Sequence, residues 1–112
     1  MGNLSDYQKQ VDDAVQPFAK PYWDPLSQLA SMLEELGEIS RIVNHMHGDK
    51  PKKPGDVHSA LEDELADLLF SIICLANSEG IDLDEPMQRT INKLNTRDKD
   101  RFERKPGQSV DK

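Results

Sequence analysis

Residues 62–76 read EDELADLLFSIICLA, and this stretch decides the fold. From Leu65 to Ala76 its only polar members are Asp67 and Ser71. A helix that is apolar on nearly every side is normally buried. An ionised carboxylate inside such a helix is costly unless it is paired, hydrogen-bonded or bound to a metal. We therefore expect a helix at the centre of the fold, with a functional role for Asp67.

A second stretch, LEELGEIS at residues 33–40, carries a matching pair of carboxylates. Residues three apart on a helix lie on one side of it, so each pair points in one direction. The loop at residues 48–56, rich in Gly, Pro and Lys, allows the two helices to run back against each other. Carboxylate oxygens in one gap are ligands for Mg²⁺, with Mn²⁺ as an alternative. The expected ligands are Glu35, Glu38, Glu64 and Asp67; the alternative is an ordinary acidic surface.

The spacing of apolar residues predicts an all-α fold of four helices. We expect the first helix to begin at a Ser5 cap and end near Val15. The second runs from Asp24-Pro25 to about Gly48, the third from a capping box at Ser59 and Glu62 to Gly80, and the fourth from Asp82–Pro86 onward. Residues 1–104 form a single domain, and residues 105–112 form a disordered tail.

Charge is distributed unevenly along the chain of 112 residues. Residues 1–88 hold 6 Lys/Arg against 17 Asp/Glu, whereas residues 89–112 hold 8 against 4. An acidic body argues against a nucleic-acid surface. The basic segment can meet a small anion whose other side is held by a metal, or it can be a solvated tail, above all beyond Phe102.

The remaining composition indicates the compartment and the assembly. The single Cys74 lies in the apolar run and is expected to be a core residue, so no disulfide framework exists. The N-terminus lacks a signal peptide, and no apolar run reaches the roughly 20 residues that span a bilayer. We expect a cytoplasmic protein without a membrane partner. Because the third helix is apolar on almost every face, we also expect a homo-oligomer.

Several other side chains are candidates for the site. Glu35, Glu38 and His45 form a polar seam beside the apolar stripe of the second helix. His45 either contacts a ligand or sits near the helix C-terminus because the helix dipole favours it there. Trp23 and Tyr22 either stack on a base or pack the first linker onto the bundle.

The motif Glu-Glu-x-x-Glu at residues 34–38, followed by Glu-x-x-Asp at residues 64–67, resembles the signature of the MazG-type all-α nucleotide pyrophosphohydrolases. The Asn-His before the lysine loop, Cys-Leu-Ala-Asn-Ser at residues 74–78 and Asn-Thr-Arg-Asp-Lys-Asp-Arg-Phe at residues 95–102 are similar to a small single-domain YpjD-like branch. The resemblance covers the chain from about Pro25 to Arg104.

This resemblance implies a four-helix unit that assembles into dimers or tetramers. It also implies magnesium-dependent hydrolysis of nucleoside triphosphates, standard or damaged, to the monophosphate and pyrophosphate. The four carboxylates would be the metal ligands; Glu35 and Glu38 would also act in catalysis, with Glu34 as the candidate proton acceptor. Lys93 and Arg97 would hold phosphate oxygens, and His45 and Trp23 would contact substrate.

Two other functions fit the same residues. A phosphoribosyl-ATP pyrophosphohydrolase shares the fold and the type of reaction. The YpjD-like segment favours the nucleoside triphosphate hydrolase over this alternative. A helical dimerisation or regulatory module could bind a metal without turnover. The sequence leaves the base, the sugar and the number of metal ions open.

Overall fold

The chain forms four α-helices and no strand within residues 3–57 and 60–106, which are the residues that the computed structural model describes. The helices are α1 (Leu4–Val15), α2 (Pro25–His47), α3 (Leu61–Ser78) and α4 (Asp84–Asn95). The all-α prediction is therefore confirmed. The expected cap at Ser59 and most of the predicted disordered tail, residues 107–112, lie outside the described residues.

The centre of the fold is the pair formed by α2 and α3. Gln28 meets Ser78 at one end of the pair, and Glu35 lies beside Glu64 toward the other, so the two helices run antiparallel. α1 packs against the other side of α3. The apolar residues buried by this packing are Val15, Ile39, Ile42, Ile73 and Ala76.

The helix ends follow local chemistry, with two corrections. α1 is capped by Asn3, whose side chain accepts from the amide of Asp6 at 2.9 Å, so the predicted cap at Ser5 is wrong. Pro25 opens α2 as expected, but Asp24 makes no capping hydrogen bond, and its carboxylate accepts from Lys20 instead.

Gly80 ends α3 as the sequence predicts. Its φ of 71° lies in the left-handed region, which glycine adopts without a Cβ clash. The amide of Ile81 donates to the carbonyl of Ala76 at 2.8 Å, and the amide of Gly80 donates to that of Asn77 at 3.2 Å. This pair of bonds is the Schellman arrangement, and it turns the chain from α3 toward α4.

A buried glutamine joins α1 to the end of α3. The Gln8 amide, 8 % exposed, donates to the Asn77 side chain at 2.9 Å and to the Ile81 carbonyl at 2.7 Å. Its oxygen accepts from the amide of Leu83 at 2.9 Å. One side chain therefore satisfies three groups of the α3–α4 turn and fixes α1 against it.

Tyr22 extends this polar network into the linker between α1 and α2. Its hydroxyl donates to Asp12 at 2.6 Å and accepts from Asn77 at 3.0 Å. Partial burial and the bond to the Asp12 carboxylate raise the pKa of Tyr22 to about 12. The linker is thus held against both α1 and α3.

α4 leaves the packed part of the chain. Asp84, its first residue, accepts from the amide of Leu4 at 3.1 Å and from the Ser5 hydroxyl, so it holds the start of α1. No residue of α4 is buried, and Met87, Ile91 and Leu94 stay exposed along one face. The principal extents of 53 × 42 × 28 Å reflect this open shape.

The helix pair also has an uncovered apolar side. Leu65 and Leu69 on α3 are about half exposed, and a second stripe of apolar side chains on α2 is exposed as well. That α2 stripe consists of Leu26, Leu29, Leu33, Leu36 and Val43. The expectation that α3 would bury Asp67 is wrong for one chain: Asp67 is exposed, because α1 and α2 cover only part of the circumference of α3.

Within the described parts of the chain, no helix is long and apolar enough to cross a membrane.

We predict that Gln8→Met destabilises the protein by about 2–3 kcal/mol, because a thioether leaves the Leu83 amide and the Ile81 carbonyl without their partner. The free energy of unfolding in urea, at a fixed protein concentration, measures this effect. Gln10→Met, the same change at an exposed position of α1, should alter stability by less than about 0.5 kcal/mol. Equal effects of the two variants would contradict the assigned role of Gln8.

Candidate active site

Three carboxylates from two helices meet at the α2–α3 interface. Glu35 on α2 and Glu64 and Asp67 on α3 each offer an oxygen within 4.8 Å of the others. Glu64 is 7 % exposed, Glu35 is half-buried and Asp67 is exposed. The i,i+3 spacing places Glu64 and Asp67 on one side of α3, and the antiparallel packing brings Glu35 opposite them.

The cluster carries negative charge that the chain does not compensate. The pKa of Glu35 is raised, first by partial burial and then by the carboxylates of Glu64, Asp67, Glu34 and Glu38. No cationic side chain is among the groups that shift this pKa. The four neighbouring carboxylates therefore make Glu35 harder to ionise.

Glu64 is the most buried carboxylate of the cluster. Its carboxylate is buried, yet it makes no hydrogen bond or ion pair with any other residue that the structure describes. A buried, unpaired carboxylate is costly, and a divalent cation would remove that cost. Three hard oxygen donors on two helices suit Mg²⁺ or Mn²⁺, which take carboxylate and water ligands. The residues present therefore fit a divalent metal ion.

Glu38, the fourth predicted ligand, is not in this group. Its carboxylate accepts two hydrogen bonds from Arg41, from Nε at 3.1 Å and from Nη2 at 2.8 Å. Arg41 lies one turn further along α2, where a bidentate guanidinium–carboxylate pair forms readily. The expectation that four carboxylates share one gap is therefore correct for three of them in this structure.

A cavity of about 440 Å³ lies beside the cluster along the same helix pair. Its wall is largely apolar and aromatic, with contributions from the first linker, α2 and α3. The lining residues used below are Phe18, Tyr22, Trp23, Phe70, Ser31 and Ser71. Ser31 lies one turn before Glu35, and Ser71 lies one turn after Asp67, so the cavity adjoins the carboxylates.

Sequence reasoning identified the aromatic pair of this cavity but missed its other walls. Trp23 and Tyr22 were candidates, and both line it. Phe70, Ser31 and Ser71 were not singled out, although each lies three or four residues from a predicted ligand. That spacing was the available signal, since side chains so placed share a helix face with the carboxylate.

The other predicted substrate contacts are not brought to the cluster within one chain. His45 lies ten residues after Glu35 on α2, about 15 Å along the helix axis. Arg97 donates to Asp98 at 3.2 Å, and the positive charge of Lys93 helps to lower the pKa of that same aspartate. Lys93 lies in the last turn of α4 and Arg97 lies just beyond the end of that helix, which has few contacts with α2 and α3. Glu34 is exposed and close enough to affect Glu35.

Residues 24–102 match the family model of the MazG nucleotide pyrophosphohydrolase domain. The chain belongs to this family. It is 46% identical to YpjD of Bacillus subtilis (strain 168) over 102 residues, which cover 91% of this chain and 92% of that protein. The family relationship predicted from the two carboxylate motifs is thereby confirmed.

Two solved structures resemble the fold. The crystal structure of YpjD from Bacillus subtilis matches with a TM-score of 0.76 at 42% identity, covering 86% of this chain and 98% of that one. A Bacillus-conserved MazG protein, described as a nucleotide pyrophosphohydrolase, matches with a TM-score of 0.74 at 41% identity. That match covers 89% of this chain and 97% of the other. The protein is therefore a hydrolase of the MazG nucleotide pyrophosphohydrolase type.

We predict that Glu35→Gln raises the melting temperature of the metal-free protein at neutral pH. A pKa raised by folding means that the folded state holds its proton more tightly, so stability falls as pH rises through that pKa. At neutral pH the penalty is complete, and a neutral amide removes it. The comparison is made by thermal unfolding in a chelator, across pH 4 to 8.

The same variant should lose stabilisation by magnesium. A ligand present at 100 times its Kd stabilises the folded state by about 2.7 kcal/mol, which Glu35→Gln should largely abolish. Glu62→Gln, an exposed position in the first turn of α3, is the matched control and should keep the full response. A lower melting temperature in chelator together with an intact magnesium response would disprove the assignment of Glu35.

Proposed function

We propose that this protein hydrolyses nucleoside triphosphates to nucleoside monophosphates and pyrophosphate, with magnesium held by Glu35, Glu64 and Asp67. The buried Glu64 carboxylate, which has no hydrogen-bond or ion-pair partner among the described residues, is the observation that carries the proposal. An aromatic cavity one helical turn away suits the nucleoside that such a phosphate site requires. Family membership supplies the type of reaction, and the cluster supplies its location.

The carboxylates and their neighbours divide the work. A divalent cation held there would neutralise charge on the phosphate oxygens and make nearby water more acidic. Glu34, exposed beside Glu35, is placed to accept the proton from the attacking water. Glu38 joins the ligand set by a side-chain rotation that opens its pair with Arg41.

The leaving pyrophosphate needs cations that one chain does not bring to the cluster. We propose that Lys93 and Arg97 come from α4 of a second copy. α4 presents an apolar face to solvent, and the α2–α3 pair presents a complementary uncovered apolar side. Residues 89–112 are basic and residues 1–88 are acidic, so such an exchange also pairs opposite charges.

This exchange is one form of the homo-oligomer proposed for the protein. Exposed stripes of leucine on α2 and α3 are larger than a monomeric surface normally tolerates. A dimer or tetramer would cover these stripes. The loop lysines Lys50, Lys52 and Lys53, all exposed, are the alternative phosphate clamp, since their loop leads into the helix that carries Glu64.

In the cavity we propose that the base stacks on Trp23. The Trp23 ring is more than half exposed and can cover a planar ligand, and its carbonyl accepts from the buried Gln28 amide at 2.8 Å. Tyr22 is fixed by Asp12 and Asn77, so the segment that presents the tryptophan is held in place. Such preorganisation lowers the entropic cost of binding.

The proposal is tested with purified protein, magnesium and a panel of standard, deoxy and damaged triphosphates together with phosphoribosyl-ATP, reading out pyrophosphate. Preference for phosphoribosyl-ATP would identify the alternative biosynthetic enzyme. Binding of metal with no pyrophosphate from any substrate would contradict the proposed function.

We predict that Asp67→Asn and Glu38→Gln each abolish turnover while helical content is unchanged. The amides fit the same space but lack the charge of a ligand. Asp63→Asn, an exposed change in the first turn of α3, should leave turnover intact. Near-normal magnesium-dependent hydrolysis by either site variant would remove that residue from the site.

We predict that Arg97→Ala lowers kcat/KM by roughly ten- to a hundredfold, the effect of losing one charge-assisted phosphate contact. Metal affinity should change little, since arginine does not bind cations. Arg104→Ala, whose guanidinium bonds only the Lys99 carbonyl among the described residues, is the control. If the two variants behave alike, the clamp belongs to the lysine loop, and Lys53→Ala should then lower turnover.

A mixing experiment distinguishes an Arg97 that acts in the site of a second copy from one that acts in its own chain. The inactive Asp67→Asn protein and the weakly active Arg97→Ala protein are unfolded together in equal amounts and refolded as a mixture. If Arg97 acts across subunits, mixed dimers contain one intact site, and about a quarter of wild-type activity returns. No recovery in mixed dimers would show that Arg97 acts within its own chain or not at all.

A further inference from the structure

We propose that Ser31 and Ser71 bind the sugar hydroxyls of the substrate and make the enzyme favour ribonucleotides over 2′-deoxyribonucleotides. This inference rests on the proposed function and names the sugar class that the same site accepts. Neither serine belongs to the carboxylate motifs. Both line the cavity, one from each of the two central helices.

The two serines lie at the same level of the groove between α2 and α3. Ser31 precedes Glu35 by one turn of α2, and Ser71 follows Asp67 by one turn of α3. Because α2 and α3 run antiparallel, both steps lead in the same direction away from the carboxylates, by about 5–6 Å. The serines therefore form a pair at one level of the groove, between the metal-binding group and the aromatic wall.

The order along the groove matches the order of groups in a nucleotide. Carboxylates come first, the two hydroxyls next, and the aromatic side chains of Phe18 and Trp23 line the same cavity from the first linker. In a nucleotide the sugar separates the α-phosphate from the base by a similar distance. A triphosphate whose phosphates face the cluster thus places its ribose at Ser31 and Ser71.

The hydroxyls of the two serines differ from most helical hydroxyls in their hydrogen bonding. Serine and threonine inside helices commonly donate to a carbonyl three or four residues earlier. Ser78, Thr90 and Thr96 do so here, at 3.0, 3.0 and 2.7 Å. The hydroxyls of Ser31 and Ser71 make no hydrogen bond to any other described residue. Half-buried in a mainly apolar cavity, they are available to a ligand.

The number of sugar hydroxyls determines whether the ribo or the deoxy form is preferred. A ribose offers two neighbouring hydroxyls, which two serines on opposite walls can bind together, whereas a 2′-deoxyribose offers one. The ribonucleotide then gains one more hydrogen bond than its deoxy counterpart. A neutral hydrogen bond of this kind changes the ratio of kcat/KM by about two- to tenfold.

The test compares kcat/KM for the four standard ribonucleoside triphosphates and their 2′-deoxy counterparts, with magnesium, in wild type and variants. Wild type should favour the ribo form within each pair. Ser31→Ala and Ser71→Ala should each reduce the ribo-to-deoxy ratio by about two- to tenfold, mainly through slower turnover of the ribo form. Ser40→Ala, an exposed serine on α2 outside the cavity, is the matched control and should leave the ratio unchanged.

Binding gives a second readout that does not depend on turnover. Trp23 is the single tryptophan of the chain and lines the cavity, so its fluorescence reports occupancy. Titrations with non-hydrolysable α,β-methylene analogues of ATP and 2′-deoxy-ATP give two Kd values for each protein. We expect tighter binding of the ribo analogue by wild type and a reduced difference in both serine variants.

Failure of this inference is distinct from failure of the proposed function. Wild type that prefers deoxy substrates, or serine variants that keep the wild-type ratio in both assays, would overturn the role of Ser31 and Ser71. Absence of pyrophosphate from every substrate would refute the hydrolase proposal instead. In that case the ratio of Kd values still decides the sugar preference of the cavity.

Discussion

Repulsion among carboxylates at the α2–α3 interface is the constraint on which the rest of this structure depends. Glu35, Glu64 and Asp67 each offer an oxygen within 4.8 Å of the others, although the other two carboxylates make Glu35 harder to ionise. The core beneath them must supply the stability that this cluster removes. Ile42 and Ile73, both nearly fully buried, fasten the two helices together alongside it. A divalent cation bound at this cluster would relieve the repulsion that weakens the metal-free chain.

The polar network around Gln8, Asn77 and Tyr22 has a complementary role. It lies at the opposite end of α3 from the cluster and fixes the linker that carries Trp23. The site therefore lies between two fixed ends of the α2–α3 pair. Carboxylates occupy one part of the groove, and aromatic side chains occupy the other. A ligand that is charged at one end and planar at the other fits this division, as a nucleoside triphosphate does.

A single chain leaves several apolar helix faces uncovered. α4 buries none of its residues, and the leucine stripes of α2 and α3 face solvent. Exposed apolar faces of this extent indicate contact with further protein, and the acidic body and basic C-terminal segment favour a second copy of the same chain. Among the described residues, no cationic side chain shifts the pKa of Glu35, and Lys93 and Arg97 lie at and beyond the end of α4.

The sequence by itself determined the four helices, the antiparallel central pair and the family. It did so because apolar periodicity, Pro25 and Gly80 act locally, and because i,i+3 spacing places Glu64 and Asp67 on one side of a helix whatever surrounds it. Only the tertiary structure decided which carboxylate is buried, because burial depends on what covers each side of α3. Asp67 faces solvent and Glu64 does not. Tertiary structure also created the cavity at Ser31 and Ser71, since empty space between helices is a product of their packing.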